Sequence, residues 1–149
     1  MRTDDAHRRF PAAFLEFIRL FNARAYWESH EVLEQPWRVH RSDFYQGLII
    51  FASAFVHAQR GNPVGIRKQM AKVLKKLKPY QPHYMGIDVQ MVLRHAATCT
   101  EFVLANPQLR GEALTAAVSY PELHPDPRLV RGDEPELTGS DERKSDPSR

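Results

Sequence analysis

Apolar side chains recur at helical spacing from residue 10 to about residue 104, and short Gly, Pro and Asn breaks divide the pattern into segments. Phe10, Phe14, Phe17, Ile18 and Phe21 mark the buried stripe of a first amphipathic helix, with Pro11 in its first turn. Residues 22–24 make a short connection to a second helix, which begins at Tyr26. A third helix starts near Ser42-Asp43, where Asp43 and Gln46 have capping-box spacing, and stops at Gly61. It is the most apolar segment and the expected centre of the fold. Asn62 and Pro63 supply the N-cap and first position of a fourth helix, whose apolar face is Ile66, Met70, Val73, Leu74 and Leu77. After a loop over 80–86, Asp88 caps a fifth helix over 89–104, with Val89, Val92, Ala96, Cys99 and Val103 inside. Asn106-Pro107 breaks it, and a short sixth helix follows over 109–118. Beyond Tyr120, five prolines and mixed charges predict an extended or disordered tail. No strand-like alternation and no internal repeat appear. The expected fold is all-α: a compact bundle of five to six helices with short connections over 1–120, and a proline-rich charged tail over 121–149.

Composition changes this picture little, but charge does. The hydrophobic fraction of 42% and charged fraction of 26% are those of an ordinary globular chain. The net charge of +3 is unevenly spread. Residues 64–79 hold six bases and no acid, whereas residues 132–149 hold six acids against three bases. A local anionic partner is therefore favoured over a generally basic surface. With Cys99 as the only cysteine, an intrachain disulfide and a cysteine-based zinc site are both excluded. The polar N-terminus lacks a signal core, and the longest apolar run, 48–56, is far short of a membrane span. A reducing, cytoplasmic setting with no membrane partner is the simplest expectation.

The candidate chemistry sits on the second helix. At about 100° per residue, Tyr26, His30, Leu33 and Trp37 share a face, with Trp27 and Glu34 beside them. His30 and Glu34 are four apart and within mutual reach, on the side that the aromatics should bury. Such groups need partners, so they form either a structural hydrogen-bond network or a site. On the third helix Gln46, Ser53, His57 and Arg60 form a narrow polar stripe: either a window to solvent or the surface that meets His30 and Glu34. In the second case His30, Glu34 and His57 make a two-histidine, one-carboxylate set suited to a divalent metal. Without a metal, Glu34 would orient His30 as a general base. His30 and Glu34 are thus the candidate catalytic pair, and Trp27, Glu31, Gln46 and His57 the candidate ligand contacts. The spacing from His30 to Glu34 resembles the zincin motif, but glutamate replaces the second histidine, so a metalloprotease is not expected. Cys99 falls on an apolar face and reads as packing. Lys68, Lys72, Lys75 and Lys76 lie opposite the apolar stripe of the fourth helix, without a nucleic-acid reading motif beside them.

The pattern Phe21-Asn22-x-x-x-Tyr26-Trp27-Glu28-x-His30-Glu31-x-x-Glu34-x-x-Trp37, followed by Phe44-x-Gln46-Gly47-Leu48-Ile49 and Arg60-Gly61-Asn62, resembles the domain of unknown function 309 family of bacteria and archaea. The resemblance spans roughly residues 14–77. It implies a compact helical bundle and no particular reaction. This chain departs from the family pattern at Pro36, where a helix former is usual; proline there lacks a donor and clashes with the Val32 carbonyl.

The expected function is a small-molecule or divalent-metal site between the second and third helices, with hydrolysis as one use of it. The rival is a structural or protein-interaction module with a buried His/Glu network. Weak nucleic-acid binding through the lysine-rich helix is third, and a homo-oligomer is compatible with all three.

Overall fold

The computed structural model describes residues 10–137. Six helices follow one another: α1 (Ala12–Asn22), α2 (Tyr26–His40), α3 (Asp43–Gln59), α4 (Pro63–Leu77), α5 (Val89–Ala105) and the short α6 (Gly111–Ala117). Each of the first three packs on the next, as short connections require, and α4 packs on α5 across the longer loop over 78–88. The all-α expectation holds, apart from a two-residue antiparallel pair in the loop before α5. There β1 (His83–Tyr84) pairs with β2 (Ile87–Asp88), His83 opposite Asp88 and Tyr84 opposite Ile87. No helix among the described residues is long and apolar enough to cross a membrane.

Local signals set the boundaries. Ser42, rather than Asp43, caps α3, its hydroxyl accepting from the Tyr45 N–H at 3.0 Å. Asn62 caps α4 through the Gly65 N–H, with Pro63 at the first position. Asp88 caps α5 through Met91. Helix α2 continues through Pro36 and ends at Arg41 in a left-handed conformation with φ 52°.

Helix α3 is central, with Phe44, Leu48, Phe51, Ala52, Phe55 and Ala58 fully buried. Its aromatic side faces α1 and α2: Phe51 stacks on Phe21 and Phe55 on Tyr26, with ring centroids 5.5 and 5.2 Å apart. Cys99 is buried, and burial pushes its thiol up to about 11, as inert packing requires.

Residues 121–137 are mostly extended, with short 3-10 turns at Pro127–Leu129 and Pro135–Leu137, and they lie against the bundle rather than apart from it. Leu123 is fully buried, and the Asn22 side chain meets its backbone twice, Nδ2 donating to the Leu123 carbonyl at 2.8 Å and Oδ1 accepting its N–H at 2.7 Å. Further along, the Asp126 N–H donates to the Gly86 carbonyl. Two glutamates of this strap are buried. Glu134 accepts N–H donations from Met85, Arg131 and Gly132. Burial alone would raise its carboxyl; the three donations outweigh that and hold it below the usual carboxylate range. Glu136 accepts from the hydroxyls of Tyr84 and Ser42, while its carbonyl accepts from the Tyr45 hydroxyl. The part of the expected tail over 138–149 lies outside the described residues.

Candidate functional site

The buried flank of α2 is Tyr26, Ser29, Leu33 and Pro36. Ser29 fits there because its hydroxyl returns to the Tyr26 carbonyl at 2.8 Å, leaving no stranded donor. His30 and Glu34 consequently sit at the edge of the interface. Trp27, expected beside the face that α2 buries, is 52% exposed, and its ring stacks on that of His30 at 5.2 Å. The His30 Nδ1 is buried without a partner among the described residues, and Glu34 turns to Arg38 at 3.6 Å on the exposed side. Glu31 is exposed. The expected closed network between His30 and Glu34 is therefore not what the side chains make.

His57 is on the far side of α3 from α2. It follows Phe55, which faces α2, by two residues, a rotation of about 200°. Its ring instead packs directly on Gly65 of α4, where an added Cβ would collide with the imidazole. Gln46 and Ser53, on the same stripe, are half-buried at the rim of α3. Among the described residues, no three His, Cys, Asp or Glu side chains are placed to hold a metal ion. The His30–Glu34–His57 metal set is corrected on this ground: α3 presents its aromatic side to α2 and its polar stripe elsewhere.

What does assemble is a corner between the end of α3 and the start of α4. Asn62 Oδ1 accepts from the Gly65 N–H at 3.2 Å, which turns its Nδ2 toward His57 Nδ1, also at 3.2 Å. An amide nitrogen only donates, so Nδ1 is the acceptor and His57 carries its hydrogen on Nε2. Burial, and then the Arg60 charge, lower its pKa and favour this neutral form. The corner opens into a cleft of about 280 Å³, lined by His57, Asn62, Gly65, Lys68, Gln69 and Lys72, with Val64 at its edge. Gln69 lines the cleft, and its Oε1 is buried with no hydrogen-bond partner among the described residues. Sequence reading singled out His57 and the lysines separately; Asn62 had been read only as a cap, and Gln69 and Gly65 were missed. The signal that joins them is His57 preceding an Asn-Pro helix start by five residues, with Gly65, Lys68, Gln69 and Lys72 in the next two turns.

A wider recess of about 550 Å³ lies between the α1–α2 turn and residues 115–120. Its polar groups are already committed to one another. Gln59 donates to the Arg24 carbonyl, Thr115 to the Ala58 carbonyl and Tyr120 to the Thr115 carbonyl, while the Arg24 guanidinium lies over the Tyr120 ring at 4.6 Å. The smaller His57 cleft is the one with uncommitted groups.

Residues 14–69 match the model of DUF309, a domain of unknown function. The likeness read from the motif on α2 and α3 thus holds, and the matched stretch runs as far as Gln69 of the cleft. The chain is similar to the uncharacterized protein YpuF of Bacillus subtilis (strain 168), 32% identical over 74 residues. That alignment covers 46% of this chain and 42% of the relative, so the chain spans under half the length of the protein it matches. No solved structure matches it.

Proposed function

We propose that the protein binds a small anionic molecule in the cleft between α3 and α4. The observation that carries this reading is Gln69, whose side-chain oxygen is buried and unpartnered, lining a cleft whose only charged side chains among the described residues are Lys68 and Lys72. A buried acceptor without a partner is uncommon and calls for a donor. The lysines call for an anion, and the Nε2–H of neutral His57 adds a hydrogen-bond donor. The fitting ligand therefore carries a phosphate or carboxylate together with a hydroxyl or N–H group.

Among the described residues no acid lines the cleft, so none of them gives His57 the carboxylate that would orient a general base. The reading is binding rather than hydrolysis, and it draws His57 away from the expected partnership with His30, Glu34 and a metal. Its test is calorimetric titration of the full chain with glycerol phosphate. Saturable binding is expected, weakened about tenfold or more in Lys68→Glu and in Gln69→Leu, the loss of one charged hydrogen bond being of that order. No saturable heat with the parent chain would sink the reading.

A further inference from the structure

Three large apolar side chains stand exposed among the described residues: Trp27, Val64 and Leu104. Two of them meet. Val64, in the first turn of α4, and Leu104, at the end of α5, line one shallow recess of about 160 Å³ with Val103 and Pro107, and Arg67 and Arg110 stand at its edge. Val64 also borders the His57 cleft, so the recess and the cleft flank the same turn of α4. Arg67, Lys68, Lys72 and Lys75 are all exposed along the helix beyond it. Lys76 is the exception, turned to Asp43 at 3.2 Å. The exposed face of α4 thus carries Arg67, Lys68, Lys72 and Lys75, with the apolar recess of Val64 and Leu104 at one end and the His57 cleft beside it.

We propose that this face lies on an anionic lipid bilayer, with the His57 cleft seating one lipid headgroup. The inference rests on the anion reading of the cleft and names the source of the anion. Exposed lysines and arginines near an anionic membrane surface contribute additively, and small apolar side chains entering the headgroup region add to them. Nucleic acid would use the same cations but has no use for Val64 and Leu104, which would stay solvated against phosphates. A phosphatidylglycerol headgroup matches the cleft's chemistry on both counts: its phosphate suits Lys68 and Lys72, and its glycerol hydroxyls can donate to Gln69 Oε1. This is surface association, not a span, and it departs from the sequence expectation of no membrane partner.

The experiment is co-sedimentation of the full chain with vesicles of phosphatidylcholine alone and with phosphatidylglycerol added, alongside titration with glycerol phosphate. Binding to the phosphatidylglycerol vesicles only is expected, decreasing with added salt. Leu104→Ser should weaken vesicle binding several-fold, from the lost apolar contact, and leave glycerol phosphate binding unchanged, since Leu104 lines the recess and not the cleft. The position is exposed, and circular dichroism of the variant checks that it folds. Lys68→Glu should weaken both ligands. Glycerol phosphate binding without vesicle binding would overturn the membrane inference and leave the cleft reading standing. Vesicle binding that is indifferent to Leu104, together with retardation of duplex DNA, would overturn it in favour of a general polyanion surface. Failure of both ligands would remove the cleft reading and the inference together.

Discussion

The hydroxyl of Tyr84 donates to the carboxylate of Glu136 across 2.7 Å, fastening the end of the strap to the β1–β2 turn. Ser42, the cap of α3, donates to the same carboxylate, so one buried acid joins the strap, the turn and the central helix. Replacing Glu136 with Ala should strand both hydroxyls and cost about 1–3 kcal/mol, whereas Tyr84→Phe, which leaves Ser42 in place, should cost less. Denaturant unfolding of the two variants checks the order; equal costs would show that Ser42 does not share the acid.

The strap as a whole belongs to the folded unit. A chain ending at Tyr120 loses buried Leu123, both strap glutamates and the Asn22 clamp. It should be destabilised by at least about 3 kcal/mol, the scale of deleting one core leucine with its hydrogen bonds. Unchanged stability of that shortened chain would mean that the strap rests on the bundle without supporting it.

Gly65 and His57 are complementary in shape. A methyl group at 65 meets the imidazole, so Gly65→Ala should cost about 1–3 kcal/mol by overpacking. The same change in a His57→Ala background should cost much less, since the obstacle is gone. A double-mutant cycle with additive effects would place the His57 ring elsewhere.

His30, by contrast, should matter little to stability. Its Nδ1 has no partner and Glu34 is already paired with Arg38, so His30→Ala should change unfolding free energy by under about 1 kcal/mol. A larger loss, shared by Glu34→Gln, would restore the buried-network reading.

Stability should fall on acidification. Burial lowers the pKa of His95, against its hydrogen bond to the Ser119 carbonyl, and lowers that of His57, from an ordinary 6.5. The unfolded chain then binds more protons than the folded one below about pH 6.5, so stability is full above that pH and declines beneath it. Glu134 acts in the same direction lower down: its carboxyl is held below the ordinary 4.5, and its contribution is lost as pH falls through its folded value. Melting temperatures between pH 7.5 and 4 should decrease steadily, and His95→Gln should flatten the upper part of the profile. A melting temperature that rises as pH drops from 7 to 5 would contradict both histidine assignments.

The helices themselves were legible from sequence because their determinants are local. The caps Asn62 and Asp88, the breaks at Gly61 and Asn106-Pro107, and the 3.6-residue apolar period all act within a turn or two of chain. The face that α2 buries was not determined in that way. Tyr26, His30, Leu33, Trp37 and Tyr26, Ser29, Leu33, Pro36 are two equally periodic stripes sharing two residues, and only packing chose the second. It did so because small Ser29 and compact Pro36 let α2 close on its neighbours, whereas a tryptophan and an imidazole fit at the rim. The same limit hid the true partner of His57. A helical period states which residues share a face but not which neighbour that face meets, and tertiary packing turned this one to Gly65 and α4. The strap was the least legible part: its anchors are single residues, Leu123, Glu134 and Glu136, held by groups about 50 to 100 positions away. No periodic pattern announces such contacts, since each exists only once the bundle has brought Asn22, Ser42, Tyr84 and Met85 into place.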